Sequence, residues 1–237
     1  MKNTLLKLSI EDGSINVSTL RKLLSYLNLK ENLINTNIFK LSSDREFTNN
    51  FPSIIFGGNF NEAVIKAYGN FASKVLEENT SQIVSMLESH FQKEVTYSQE
   101  EFTLTANELD QESSTKNYYV RSIVLQDIGD KYPREVIQEL KEGKKSDFII
   151  KKLQYLIVKT LKEQSRVTKV ETPFITVTNI DFAESVPVKT KDDVYQLALK
   201  DITFDLNVDL SNHWYVGLLR SRGFGELELT NPKLVSE

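Results

Sequence analysis

Cysteine is absent from this 237-residue chain. That excludes disulfides, a thiol nucleophile and any thiolate metal site. Histidine occurs only twice, at His90 and His213, too few for a histidine-rich metal centre. No apolar run approaches the roughly 18 residues of a membrane span. Met1-Lys2-Asn3-Thr4 leads into strand-like sequence without a signal-peptide core. The expectation is a cytoplasmic protein with no membrane partner. What is present is ordinary: 40% hydrophobic and 26% charged residues, which excludes a wholly disordered chain. The length suits one large domain or two of roughly 100–120 residues each.

A net charge of −4 argues against indiscriminate nucleic-acid binding, but the charge is uneven. Residues 131–169 hold 11 Lys and Arg against 5 Asp and Glu, while both flanking stretches are acidic. Such a segment either builds a local field for a polyanion or is a solvated lysine-rich helix face.

Alternation of Leu6, Leu8 and Ile10 with Lys7 and Ser9 predicts a first strand over 4–10. Ser18 can cap a helix carrying Leu20, Leu23, Leu24 and Leu27. After a strand over 51–56, Ala63, Val64, Ala67, Tyr68, Phe71, Val75 and Leu76 fall at helical spacing, with Gly69 among them. Gly57-Gly58 ahead of that helix is either a flexible entry or a phosphate site at a helix N-terminus. The polar stretch 106–117 reads as a linker. Beyond it come a strand over 118–126, a helix from Pro133 to Gly143, a second from Ser146 with an apolar stripe through Leu161, and strands over 174–180, 199–208 and 226–229. The expected fold is α+β: two tandem ferredoxin-like (RRM-like) βαββαβ domains, over 1–110 and 118–237, with extra helix in the second.

Nine glycines serve the whole chain, yet Gly217, Gly223 and Gly225 fall within Tyr215-Val216-Gly217-Leu218-Leu219-Arg220-Ser221-Arg222-Gly223-Phe224-Gly225-Glu226. Clustered glycine marks backbone at positive φ or in close approach. Its N–H groups can form an anion nest, with Arg220 and Arg222 supplying charge. The alternative is a glycine-bearing turn between strands. The segment is neither a P-loop nor a dinucleotide fingerprint, so no cofactor is expected.

This segment resembles the C-terminal glycine-rich loop of the CRISPR-associated RAMP superfamily, above all its repeat-processing endoribonucleases. Their pattern is Gly-hydrophobic-Gly, five residues including a basic one, then Gly-hydrophobic-Gly. Here the spacing, the hydrophobic positions and the basic residues fit, and Tyr215 replaces the first glycine. The resemblance implies a two-domain protein that binds CRISPR repeat RNA through Gly217, Arg220, Ser221, Arg222, Gly223, Phe224 and Gly225. It also implies metal-independent cleavage, in which a ribose 2′-hydroxyl attacks the adjacent phosphate to leave a 2′,3′-cyclic phosphate. That chemistry needs a base, an acid and positive charge on the phosphate.

The processing enzymes often place a catalytic histidine near the first helix, and residues 18–60 contain none. Lys40, Arg45 and Tyr26 are the catalytic candidates there; the alternative for Lys40 and Arg45, and the plainer reading of each, is a surface charge. His213 is either an RNA contact or an ordinary half-buried residue. Lys144, Lys145, Lys151 and Lys152 are candidates to follow an RNA backbone. Tyr118 and Tyr119 point to opposite faces of their strand, so at most one can stack on a base. Two rival readings remain: a non-cleaving crRNA-binding subunit that assembles with other CRISPR effector subunits, and a cytosolic scaffold with no RNA role.

Overall fold

The computed structural model describes residues 1–11, 13, 15, 20–26, 53–58, 61–109, 114–127, 147–189, 195–218, 220 and 223–230. The chain divides into two compact units: Met1–Thr103 with Ser221–Gly223, and Leu104–Arg220 with Phe224–Glu237. Both combine helix with antiparallel sheet.

In the first unit, β1 (Asn3–Ile10), helix α1 (residues 20–26), β2 (Ile54–Gly58), β3 (Ala63–Tyr68), helix α2 (Asn70–Phe91) and β4 (Val95–Phe102) follow one another. The sheet order is β2-β3-β1-β4. Leu6, Leu8 and Ile10 of β1 point to the core, as their alternation predicts, and pack with Phe56, Ile65, Leu20, Leu76 and Leu87. Lys7 and Ser9 face the other way, towards Glu100 and Thr96.

The helix expected from Ala63 onward is corrected. Ala63–Tyr68 is a strand, buried at every position. Gly69, at φ 89°, ends it and is the N-cap of α2. Only glycine enters that backbone region without steric cost, so one residue turns a continuous apolar stretch from strand to helix. Gly57 and Gly58 belong to β2 and its turn, not to a helix N-terminus. Residues 70–91 form one unbroken helix, within which Asn79 and Thr80 return their side chains to the Val75 and Leu76 carbonyls.

The polar stretch expected as a linker contains a strand. β5 (Ala106–Glu108) pairs with β10 (Val208–Leu210). The second unit continues with β6 (Lys116–Asp127), helix α3 (Asp147–Thr168), β7 (Val177–Asp181), β8 (Glu184–Lys189), β9 (Tyr195–Leu206), β10 and β11 (Glu228–Leu229). Its main sheet runs β11-β6-β9-β7, with β8 also on β9. The described residues between β9 and β11 hold no α-helix; β10 and the glycine-rich segment lie there instead. The expected helix over 133–143 falls outside the described residues. Buried Tyr118 stacks on Phe204 at 6.4 Å and clamps β10: its hydroxyl donates to the Val208 carbonyl at 3.2 Å and accepts from the Leu210 N–H at 2.8 Å.

Candidate nucleic-acid interface

The glycine-rich segment is a packed corner. Trp214, Tyr215 and Val216 are fully buried. Tyr215 pairs as an isolated bridge with Glu226, and Leu218 with Val124. Gly225, at φ 84°, accepts from the Val216 N–H at 2.8 Å and donates to Ser122 O at 2.9 Å. A Cβ there would sit 1.7 Å from the Val216 carbonyl oxygen, so the corner admits only glycine. Gly217, at φ 83°, lies so close to Ile123 that a Cβ would fall 2.6 Å from its methyl group.

Helix α3 fastens this corner through polar side chains set within its apolar stripe. Gln164 donates to the His213 carbonyl at 3.0 Å and accepts the Tyr215 N–H at 2.9 Å. Thr160 Oγ1 accepts the Gly217 N–H at 3.2 Å. Glu163 takes the Arg220 guanidinium at 2.9 Å. Positions 160, 163 and 164 lie on one helix face, and together they supply the corner with hydrogen-bond partners along its length. Sequence reasoning assigned none of the three a role. The available signal was buried polarity: Thr160 and Gln164 sit among Ile157, Leu161 and Thr168 on the buried face.

Two expectations change as a result. Arg220 does not present its charge to solvent. It is 5% exposed and paired with Glu163, and its guanidinium also lies 3.5 Å from the Thr160 carbonyl. Burial lowers its pKa while Glu163 opposes that, so the pair holds the charge inside. The N–H groups of Val216, Gly217, Leu218 and Gly225 all reach acceptors within the protein, so they form no open anion nest. Ser221 and Arg222, the remaining polar members of the loop, lie outside the described residues, as do Lys40, Arg45, Lys144 and Lys145. Gly223 is at φ 82° and Phe224 is half-buried.

The structure does bring together His213, Tyr215 and Glu226. The Glu226 carboxylate accepts from Tyr215 Oη at 2.9 Å and lies 3.5 Å from His213 Nδ1. His213 is half-buried at φ 74°, a costly backbone for a non-glycine residue. Tyr215, where the resembled pattern has glycine, anchors the carboxylate that faces His213. Tyr26, at the end of α1, is exposed. Lys151 and Lys152 lie on the outer side of α3, exposed and half-buried respectively. Tyr119 is on the opposite face of β6 from Tyr118 and donates to Asp201 at 2.6 Å; burial first, then that carboxylate, pushes its pKa up to about 12. Among the described residues no three His, Asp or Glu side chains gather as a metal ion would require, and no described helix is long and apolar enough to cross a membrane.

Residues 1–231 match the family described as Type IV CRISPR-associated endonuclease Csf5, and the chain belongs to that family. No curated protein matches it. Among solved structures it is similar to "Csf5, CRISPR-Cas type IV Cas6 crRNA endonuclease", at 18% identity and TM-score 0.62, covering 98% of this chain and 100% of that one. A Cas6b crystal structure gives the same identity and TM-score, covering 97% of this chain and 100% of that one. A second, titled as CRISPR RNA processing endoribonuclease Cas6b, gives 16% and 0.59, over 97% and 100%. At these identities the likeness is one of fold. Family membership sets aside the scaffold reading.

Proposed function

We propose that the chain processes precursor CRISPR RNA by cutting within the repeat, through attack of a ribose 2′-hydroxyl on the adjacent phosphorus. The observation that carries the proposal is the endonuclease family match along residues 1–231. The P–O5′ bond breaks, a 2′,3′-cyclic phosphate forms on one product, and the other leaves with a 5′-hydroxyl. No metal takes part in this reading, and the 2′-hydroxyl requirement makes the reaction selective for RNA. The two units are read as tandem ferredoxin-like domains, the second with its glycine corner in place of a crossover helix.

Lys40, Arg45 and Tyr26 are the proposed catalytic residues. A lysine- and arginine-based site stabilises phosphate charge and orients the scissile bond more than it shuttles protons, so turnover is expected to be slow. His213, turned by Glu226, is assigned to an RNA base. Lys151 and Lys152 are assigned to the backbone.

The test is incubation of the protein in EDTA with end-labelled RNA carrying its own genome's CRISPR repeat. The same RNA with a 2′-deoxy sugar at the mapped cut site runs beside it. A single cut that the deoxy sugar blocks is the expected result. Tight binding without a cut would replace the nuclease with a silent crRNA-binding subunit. A cut that needs divalent metal, or that survives the deoxy sugar, would overturn the mechanism.

A further inference from the structure

Helix α3 carries two acids, Asp147 and Glu163, against five bases, Lys151, Lys152, Lys159, Lys162 and Arg166. Glu163 is turned inward to neutralise buried Arg220. The outer face beyond the first turn is therefore basic, although Lys159 keeps a 4.0 Å contact with Glu163. Lys151, Tyr155, Lys159, Lys162 and Arg166 follow one another at spacings of three or four, which places them in one stripe.

Beside that stripe, α3 and the strand end at β7 enclose an open groove of about 560 Å³. Ile175 and Val177 line its floor and Val158, Lys159 and Lys162 its helix side. Tyr155 also lines it, with 62% of its surface exposed and Lys159 Nζ 6.0 Å from its ring centroid. Phe174, next to Ile175, is 77% exposed. Its backbone is nevertheless held, because Asn207 donates to the Phe174 carbonyl and accepts the Thr176 N–H, both at 2.7 Å. A fixed backbone presenting a bare aromatic, an exposed tyrosine and flanking lysines is the combination that single-stranded nucleic acid binding uses: a π-face for a base and cations for the phosphates.

We propose that this groove holds an unpaired stretch of RNA, one base stacked on Tyr155 and its phosphates against Lys159 and Lys162. The proposal rests on the reading of the chain as an RNA-binding protein and adds a site to it. The groove is apolar at its floor and basic along its wall, which suits a base and its phosphates rather than a base-paired helix whose bases are already stacked. Phe174 supplies a second face beside Ile175 for the neighbouring base.

The experiment measures binding of a fluorescent oligouridylate of eight nucleotides by the full chain, alongside cleavage of the repeat RNA. Tyr155→Ala is expected to weaken oligouridylate binding about tenfold, the order a lost base–aromatic stack gives. Tyr155→Phe keeps the ring and should stay within about twofold of wild type. Lys162→Ala should lower the slope of log affinity against log salt by about 0.7, one single-strand phosphate contact. Both side chains are exposed, so unchanged melting temperatures are expected and would confirm that the variants fold. Unchanged oligouridylate affinity in Tyr155→Ala would overturn the proposal and leave the groove to a protein partner. Wild-type protein that cuts the repeat without binding oligouridylate would overturn the groove while leaving the nuclease reading intact. Protein that neither binds nor cuts either RNA would overturn both.

Discussion

Arg220 shows how one residue's role is decided by its burial. As a cation beside three glycines it reads as a phosphate ligand, yet its guanidinium lies inside the fold against Glu163. A buried ion pair adds little over well-packed apolar side chains of similar size, but breaking it strands a charge. Glu163→Leu is therefore expected to destabilise the protein by about 3–5 kcal/mol in urea unfolding. Adding Arg220→Met should restore most of that loss. The double variant also tests the phosphate assignment directly: with Arg220 structural, it should bind repeat RNA as wild type does. A second residue-scale expectation concerns Gly225. Alanine there meets both a positive φ and a carbonyl oxygen 1.7 Å from its Cβ. Gly225→Ala should cost more than the roughly 1–3 kcal/mol of the backbone strain alone, read as loss of folded protein or a lowered melting temperature. The glycine spacing was legible in the sequence because each of these positions has a backbone reason to be glycine. The fastening of the corner was not, because its partners come from a distant helix: Gln164 and Tyr215 are 51 residues apart.

Elements with one wet face announced themselves, and elements buried on both faces did not. β1 alternates and was legible to within a residue, and so was the core of β6 around Tyr118 and Val120. β3 is buried on both sides, lacks alternation, and runs into α2 with apolar residues that also fit a helical period. Nothing in that pattern separates strand from helix except Gly69, whose positive φ is a property of the backbone. β5 and β10 are three residues each and owe their pairing to what clamps them. Tyr118 is that clamp for β10. Tyr118→Phe would leave the Leu210 N–H and the Val208 carbonyl without their buried partner, at about 1–3 kcal/mol. The same phenol sets an alkaline limit. Burial pushes its pKa up to about 12, against the opposing hydrogen bond from Leu210. The folded chain thus holds a proton that the unfolded chain releases near pH 10. The phenol's contribution is complete below that pH and is lost as pH rises towards about 12. Denaturant unfolding between pH 9 and 12 should show a shallower alkaline loss in Tyr118→Phe than in wild type, with a remainder from Tyr119. Equal slopes would place the clamp elsewhere.

Across the whole molecule, net charge and local field point in opposite directions. The chain is acidic overall, so a polyanion gains nothing from its mean charge. The two kinds of lysine differ in what surrounds them. In the first unit Lys7 lies 2.8 Å from Glu100 and Lys74 3.7 Å from Glu78, so each is screened by an adjacent acid. On α3 the inward turn of Glu163 leaves Lys151 and Lys162 on a surface rich in cations. Replacing either pair with glutamine changes the net charge by the same amount, so the two double variants separate mean charge from local field. Lys151→Gln with Lys162→Gln should weaken repeat-RNA binding and lower the salt slope by about 1.4, two single-strand phosphates' worth. Lys7→Gln with Lys74→Gln should leave both affinity and slope within error of wild type. Filter binding across about 50–200 mM salt reads both quantities. Equal weakening by the two pairs would mean that overall charge governs the encounter, and α3 would lose its place as the RNA-facing helix.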